Sequence, residues 1–321
     1  MKYTNFRGEQ ITSHEVTLLK ELEDFVIQNT SVDDKIGHPL VKKEDYKVKF
    51  DVFKNRIIRI WLDSCLIKEF PKMILEFNAL EVLDLSQNEL STLPERIGEL
   101  KHLYALEANY NKIKFLPKSI GKLTLMKTLV FYDCELEELP ANIGNLKDLE
   151  ILQIPKNNLK ELPPSIGDLS SLKMLFLEEN RLKSIPDTIG KLDSLNNLDL
   201  GANRLTSLPD SICNLKVIMN LNLSGNRLDH LPECFGNLGS LEGLGLWGNK
   251  FESIPDSIKK LHNLMDLNMS FNKLDTLPEY LVDKRLRVQY LPDLKEIHVR
   301  GNNFSDELMK RLRLRKATFK F

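Results

Sequence analysis

The chain has 321 residues, a formal net charge of −1, and 42% apolar against 28% charged residues. That balance excludes a general nucleic-acid binder, and no apolar run approaches the roughly 18 residues a membrane-spanning helix needs. The opening MKYTNFRGEQITSHEV has no apolar leader core, and Cys65, Cys134, Cys213 and Cys234 form neither CxxC pairs nor flanking clusters, so the expectation is an unprocessed, monomeric protein in a reducing cytoplasm.

Residues 1–56 carry no repeat and read as an N-terminal cap. Thr12 followed by Glu15 fits a capping box, and Leu18, Leu19, Leu22, Phe25 and Val26 mark an apolar face, which predicts a helix over about 13–28. A linker through Gly37, His38 and Pro39 leads to an alternating stretch, Tyr46 to Phe53. Lys54-Asn55 then turns the chain into Ile57, so this strand is expected to pair with the first repeat.

From Ile57 one unit recurs. Its clearest copy is Leu172 to Ser194, LKMLFLEENRLKSIPDTIGKLDS, with apolar residues at Leu172, Leu175, Leu177, Leu182, Ile185, Ile189 and Leu192 and Asn180 between the third and fourth. Copies begin at Ile57, Leu80, Leu103, Met126, Leu149, Leu172, Leu195, Ile218, Leu241, Leu264 and Leu294, eleven in all, mostly 23 residues apart. A period of this size with L-x-x-L-x-L-x-x-N-x-L predicts a leucine-rich repeat solenoid. One unit cannot bury enough apolar surface to offset its own ordering entropy, so the units must stack. The asparagine column can satisfy backbone groups where each strand turns inward; Cys65 and Cys134 replace it in two units, where the turns are expected to be less tightly bonded.

Each strand is followed by L-P-x-x-I-G-x-L, for which proline predicts an extended or turn-like convex path with little regular helix. The unit from Leu264 is longer, and EYLVDKRLRVQYLPD predicts a helical excursion. In the last unit Ser305 can cap a helix with Asp306 and Glu307 in its first turn and Arg313, Arg315 and Lys316 at its end. Residues 303–321 therefore read as a C-terminal helical cap, with a basic anchor for acidic lipid or nucleic acid as the sharper alternative. The expected architecture is an α/β solenoid: a leucine-rich repeat horseshoe over 57–302 with a parallel concave sheet and a mostly irregular convex side, capped at both ends.

No nucleotide loop, metalloprotease, hydrolase or kinase signature occurs, and His14, His38, His102, His230, His262 and His298 are scattered, so no catalytic, cofactor or metal set is expected. Sequons at Asn29, Asn222, Asn268 and Asn303 read as chance matches in an asparagine-rich repeat. Period-2 alternation instead points outward side chains at the concave face. There Tyr110, Val130, Tyr132, Pro155 and Phe176 are expected to form an apolar, aromatic patch edged by Glu178 and Glu179, and Trp247 among bare glycines, with Phe271 on the next strand, a second anchor. Exposed apolar patches and aromatic anchors are typical of protein-binding surfaces.

The segments LPERIGELKHL, LPKSIGKLTL and LPPSIGDLSSL resemble those of the Ras-group leucine-rich repeat proteins, including Scribble, Erbin and plant intracellular Ras-group types and many prokaryotic proteins. The resemblance covers residues 57 to about 302 and implies an intracellular scaffold, with small GTPases or other signalling proteins as partners. The matching positions are core residues, so no family site residue carries over. A secreted bacterial effector, or a surface binder of host protein or glycan, is the alternative expectation.

Overall fold

The computed structural model describes residues 2–29, 48–313 and 319–320. The expected linker through Gly37, His38 and Pro39, the start of the expected strand at Tyr46, and the basic residues Arg315 and Lys316 lie outside the described residues. The chain divides into two compact units, Met1–Asn157 and Asn158–Phe321.

The first unit opens with a hairpin of β1 (Tyr3–Phe6) and β2 (Glu9–Thr12), whose turn holds Arg7 and Gly8 at φ 51° and 88°. Helix α1 (Ser13–Asn29) begins where the capping box predicts. Thr12 Oγ1 accepts from the Glu15 amide at 3.3 Å and donates to Glu15 Oε2 at 2.9 Å, satisfying a donor that the first helical turn leaves free. Its apolar face, Val16, Leu18, Leu19, Leu22 and Val26, is buried. Strand β3 (Lys49–Phe53) then pairs antiparallel with β4 (Arg56–Trp61) through Lys54 and Asn55, both left-handed at φ 48° and 65° as a two-residue hairpin turn requires.

From β4 the strands run parallel: β5 (Val82–Asp84), β6 (Ala105–Glu107), β7 (Thr128–Val130) and β8 (Ile151–Gln153). Each is only three residues long with its middle leucine buried, and adjacent strands pair with equivalent residues opposite. Asn88 shows what the asparagine column does: Nδ2 donates to Leu62 O at 2.7 Å in the preceding repeat and Leu85 O at 2.9 Å in its own, while Oδ1 accepts from Ile67 N at 3.1 Å. In the Cys134 repeat, Sγ lies 3.0 Å from Ala108 O and 3.6 Å from Tyr132 O, so one thiol hydrogen serves where an amide has two.

The return path is the turn-like one expected. After each proline the chain makes one 3-10 turn, as at Glu95–Glu99, Lys118–Lys122 and Ala141–Asn145, because proline with φ near −70° is already set for a helical start at the cap position. The recurrent IG glycine sits where these turns stack. A Cβ on Gly98 would lie 2.5 Å from Ser119 O in the next repeat, so only glycine permits that approach.

The second unit continues the pattern with β9 (Met174–Phe176), β10 (Asn197–Asp199), β11 (Asn220–Asn222), β12 (Gly243–Gly245), β13 (Asp266–Asn268) and β14 (Glu296–His298), all parallel. The longer repeat carries the expected helices, α2 (Glu279–Val282) and α3 (Lys284–Tyr290), the latter capped by Asp283. The C-terminal cap is not helix alone. Helix α4 (Asp306–Arg313) is followed by β15 (Phe319–Lys320), which pairs parallel with β14 and buries Phe319; an added strand satisfies the donors and acceptors that β14 would otherwise present at an open edge.

Cys213 and Cys234 form a disulfide between consecutive 3-10 turns, their Cα atoms 5.9 Å apart, whereas Cys65 and Cys134 are buried thiols outside any disulfide. Cys213 occupies the IG glycine position of its repeat (ICNL), and Cys234 the position that faces that glycine, 21 residues on, as Ser119 faces Gly98.

Candidate functional site

The residue before each ladder position, asparagine or the cysteine that replaces it, is left-handed in every repeat of both units: Ser64, Gln87, Tyr110, Asp133 and Lys156 in the first, and Glu179, Ala202, Gly225, Gly248, Phe271 and Gly301 in the second, with φ between 51° and 68°. Glycine adopts this conformation freely, but a bulky side chain costs on the order of 1 kcal/mol there. Two of the positions nevertheless hold aromatic rings.

In the first unit Tyr110 is 50% exposed. Its ring lies 5.1 Å from that of half-buried Tyr132, edge to face, and Lys156 Nζ stands 5.1 Å over the other tyrosine's ring. Val130 is half-buried on β7 beside them. Asn109 anchors the local backbone, its Oδ1 accepting from Tyr132 N at 2.8 Å. On the same face Asp84 and Glu107 stand directly opposite in the parallel register, and burial, then the Asp84 charge, raises the Glu107 carboxyl above its ordinary value. Pro155 is a correction to the expected patch: it is buried. Ser86 shares its repeat position and is buried too, whereas the longer side chain of Tyr132 rises from it.

In the second unit Phe176 is half-buried and lines a shallow groove of about 340 Å³, whose polar rim is Asn197, Asp199, Asn220, Asn222 and Asp266 and whose floor is bared by Gly243 and Gly245. Asn222 Nδ2 donates to both Asp199 oxygens at 3.0 Å, which commits one expected sequon to the sheet face rather than to solvent. Glu178 is half-buried and Glu179 exposed. Trp247 and Phe271, 43% and 46% exposed, meet edge to face at 5.6 Å, and the Arg300 guanidinium lies 5.8 Å from the Phe271 ring centre. Gly301 makes this possible, because a Cβ there would lie 2.7 Å from Phe271 Cδ1. The aromatic residues expected as a single patch thus belong to different units: Tyr110, Val130 and Tyr132 to the first, Phe176 to the second.

Sequence reasoning missed one constellation. His298 Nε2 lies 3.3 Å from Glu296 Oε2 on its own strand and 3.4 Å from Asp266 Oδ2 on β13. The longer repeat separates Asp266 from Glu296 by 30 residues rather than 23, and only the sheet register, which sets the two opposite each other, brings the group together.

The short parallel strands, asparagine ladder and unencumbered aromatic sheet faces define a leucine-rich repeat protein. The family model described as Leucine-rich repeat region matches residues 118–198 and 167–321, and a second, Leucine Rich Repeat, matches 79–100; the chain belongs to the leucine-rich repeat family. Comparison with curated proteins finds no match. Among solved structures, the Arabidopsis receptor kinase HAESA, in complex with the peptide hormone IDA and the co-receptor SERK1, is 22% identical with a TM-score of 0.68 over 91% of this chain and 50% of that one. The functional domain of InlJ from Listeria monocytogenes is 20% identical with a TM-score of 0.65 over 77% and 50%. The Leptospira interrogans leucine-rich repeat protein LIC12759 is 29% identical over 80% and 82%, with a TM-score of 0.44. This chain spans about half the length of the HAESA and InlJ chains. No helix among the described residues is long and apolar enough to cross a membrane.

Proposed function

We propose that the chain is a non-catalytic protein-binding module that takes its partner on the sheet faces, through Tyr110 and Tyr132 in the first unit and Trp247 and Phe271 in the second. The observation that carries this reading is the mounting of Tyr110 and Phe271 on left-handed backbone, where glycine would serve folding better. Rings that are half exposed, edge-stacked and held at an energetic cost have the character of interface anchors. The solved structure of HAESA holds a peptide and a co-receptor, which supports a proteinaceous partner for a repeat of this fold. The Ras-group resemblance points to a small GTPase or another signalling protein in the cytoplasm. The test is affinity capture from source lysate with the native chain, Tyr132→Arg and Phe271→Arg. Loss of a shared band in at least one folded variant is expected; identical capture by all three sinks the reading.

A second reading, export to an oxidising compartment and binding of an extracellular partner, is favoured by the Cys213–Cys234 disulfide. Alkylating the protein as it leaves the source, without reductant, separates the two: four modified cysteines after unfolding place it in the cytoplasm, two place it outside.

A further inference from the structure

We propose that Asp266, Glu296 and His298 form a binding site for a divalent transition metal, Zn²⁺ first, on the sheet face of the second unit. The three ligand atoms lie within 4.8 Å of one another, and the two separations from His298 Nε2 are 3.3 and 3.4 Å. Ligands at tetrahedral angles with metal bonds near 2.05 Å sit about 3.4 Å apart, which matches both separations from His298 Nε2, while the two carboxylate oxygens, within 4.8 Å of each other, would close on an ion by side-chain rotation. One imidazole and two carboxylates is a donor set suited to Zn²⁺ and its neighbours rather than to Mg²⁺, which keeps several waters and takes oxygen alone.

The strand register is what holds the cluster together. Asp266 and Glu296 stand directly opposite on β13 and β14. Like charges so placed destabilise a sheet unless a cation lies between them. Lys320 Nζ occupies Glu296 Oε1, at 3.4 Å, and leaves Oε2 to the His298 side. A bound ion would take Nε2 of the imidazole and one oxygen from each carboxylate. Both strands are fixed by parallel pairing, so the ligands are held by backbone that does not move on binding. Asp266 also lines the groove floored by Gly243 and Gly245, and no side chain rises from those glycines, so the remaining coordination positions open onto it. An ion there would receive a water, or a donor atom from whatever lies in the groove.

The test uses the untagged full chain, stripped with a chelator and titrated with ZnCl₂ in a calorimeter, alongside His298→Gln and Asp266→Asn. One Zn²⁺ per chain is expected, weakened about tenfold or more in each variant, with all three chains melting at similar temperatures without metal and only the native chain clearly raised by Zn²⁺. Absence of binding at millimolar Zn²⁺ overturns the proposal. So does unchanged affinity in His298→Gln, and so does Mg²⁺ binding as tightly as Zn²⁺, since either result means that carboxylates alone attract the ion.

Discussion

Glu15 Oε1 lies 3.1 Å from Nε of Arg56 and 3.4 Å from the amide of Ile57, so one carboxylate that is 1% exposed closes the N-terminal capping box and also fastens α1 to the first repeat strand. Removing it strands a buried donor at each end. Glu15→Ala is expected to lower stability by about 2–4 kcal/mol, read from the urea midpoint. Glu15→Leu combined with Arg56→Leu should recover much of the loss, because no charge is then left without its partner. A single variant as stable as the native chain would mean that the cap is held by apolar packing alone.

The left-handed column makes a sharper prediction. Tyr110→Ala and Tyr110→Gly both remove the ring, but alanine keeps a Cβ at φ 54°. The glycine variant should be the more stable of the two by about 1 kcal/mol, reversing the usual penalty for glycine, while both lose partner capture alike. Equal stabilities would show that the backbone relaxes out of the left-handed region once the ring is gone.

Glu107 gives a pH dependence with a definite sign. Its folded carboxyl is raised by burial first and by Asp84 second, so between the ordinary carboxylate value and the raised one the folded state binds more protons than the unfolded state. Stability therefore falls as pH rises through that window. Glu107→Gln should be more stable than the native chain at pH 7, the difference narrowing toward pH 4, as thermal melts across that range would show. A difference that widens on acidification would reverse the assignment.

Cys65 and Cys134 are buried thiols outside any disulfide, and loss of water around the sulfur is the main reason they are pushed up to about 11 and about 12. Thiolate is the reactive form, so both should resist iodoacetamide at pH 8 until the chain is unfolded. Cys134→Asn is expected to be tolerated or stabilising, since the amide supplies the second donor that the thiol lacks, whereas Cys134→Ala should cost about 1–3 kcal/mol. Rapid labelling of the folded chain would contradict the burial of both.

Much of this molecule was legible because its signals are local or strictly periodic. Thr12 and Glu15 are three residues apart, Lys54 and Asn55 are adjacent, and the leucine columns return every 23 residues, so one reading of the pattern placed α1, the β3–β4 turn and eleven repeat strands. Outward positions followed from alternation, which found Tyr110, Tyr132, Trp247 and Phe271. Alternation says nothing of height above the sheet, which is why Pro155 was expected outside. The hairpin β1–β2 and strand β15 are too short and too polar to announce themselves. The disulfide had a signal that was overlooked: the stacking offset of the convex turns is 21 residues, the spacing from Gly98 to Ser119, and Cys213 and Cys234 share it. Asp266, Glu296 and His298 had no such regularity, because the helical excursion shifts the period just where they meet.

The same offset tells what the disulfide does for stability. Cys213→Gly restores the residue that the turn position normally holds, so its loss relative to the native chain isolates the covalent bond from the packing. Closing a loop of this length is worth about 3 kcal/mol. Reductant should lower the melting temperature of the native chain and leave that of Cys213→Gly paired with Cys234→Ser unmoved; a native chain indifferent to reductant would show the bond carries nothing.

A stack of rungs held only by neighbours unravels from an end, one turn after the next, like a coil of rope paid out under tension. Tying Cys213 to Cys234 puts a knot in that rope: a pull that strips the C-terminal rungs away runs freely as far as Cys234 and then meets a bond that force on this scale does not break. The residues between Cys213 and Cys234 are thereby withheld from extension, since the load passes from one sulfur straight to the other.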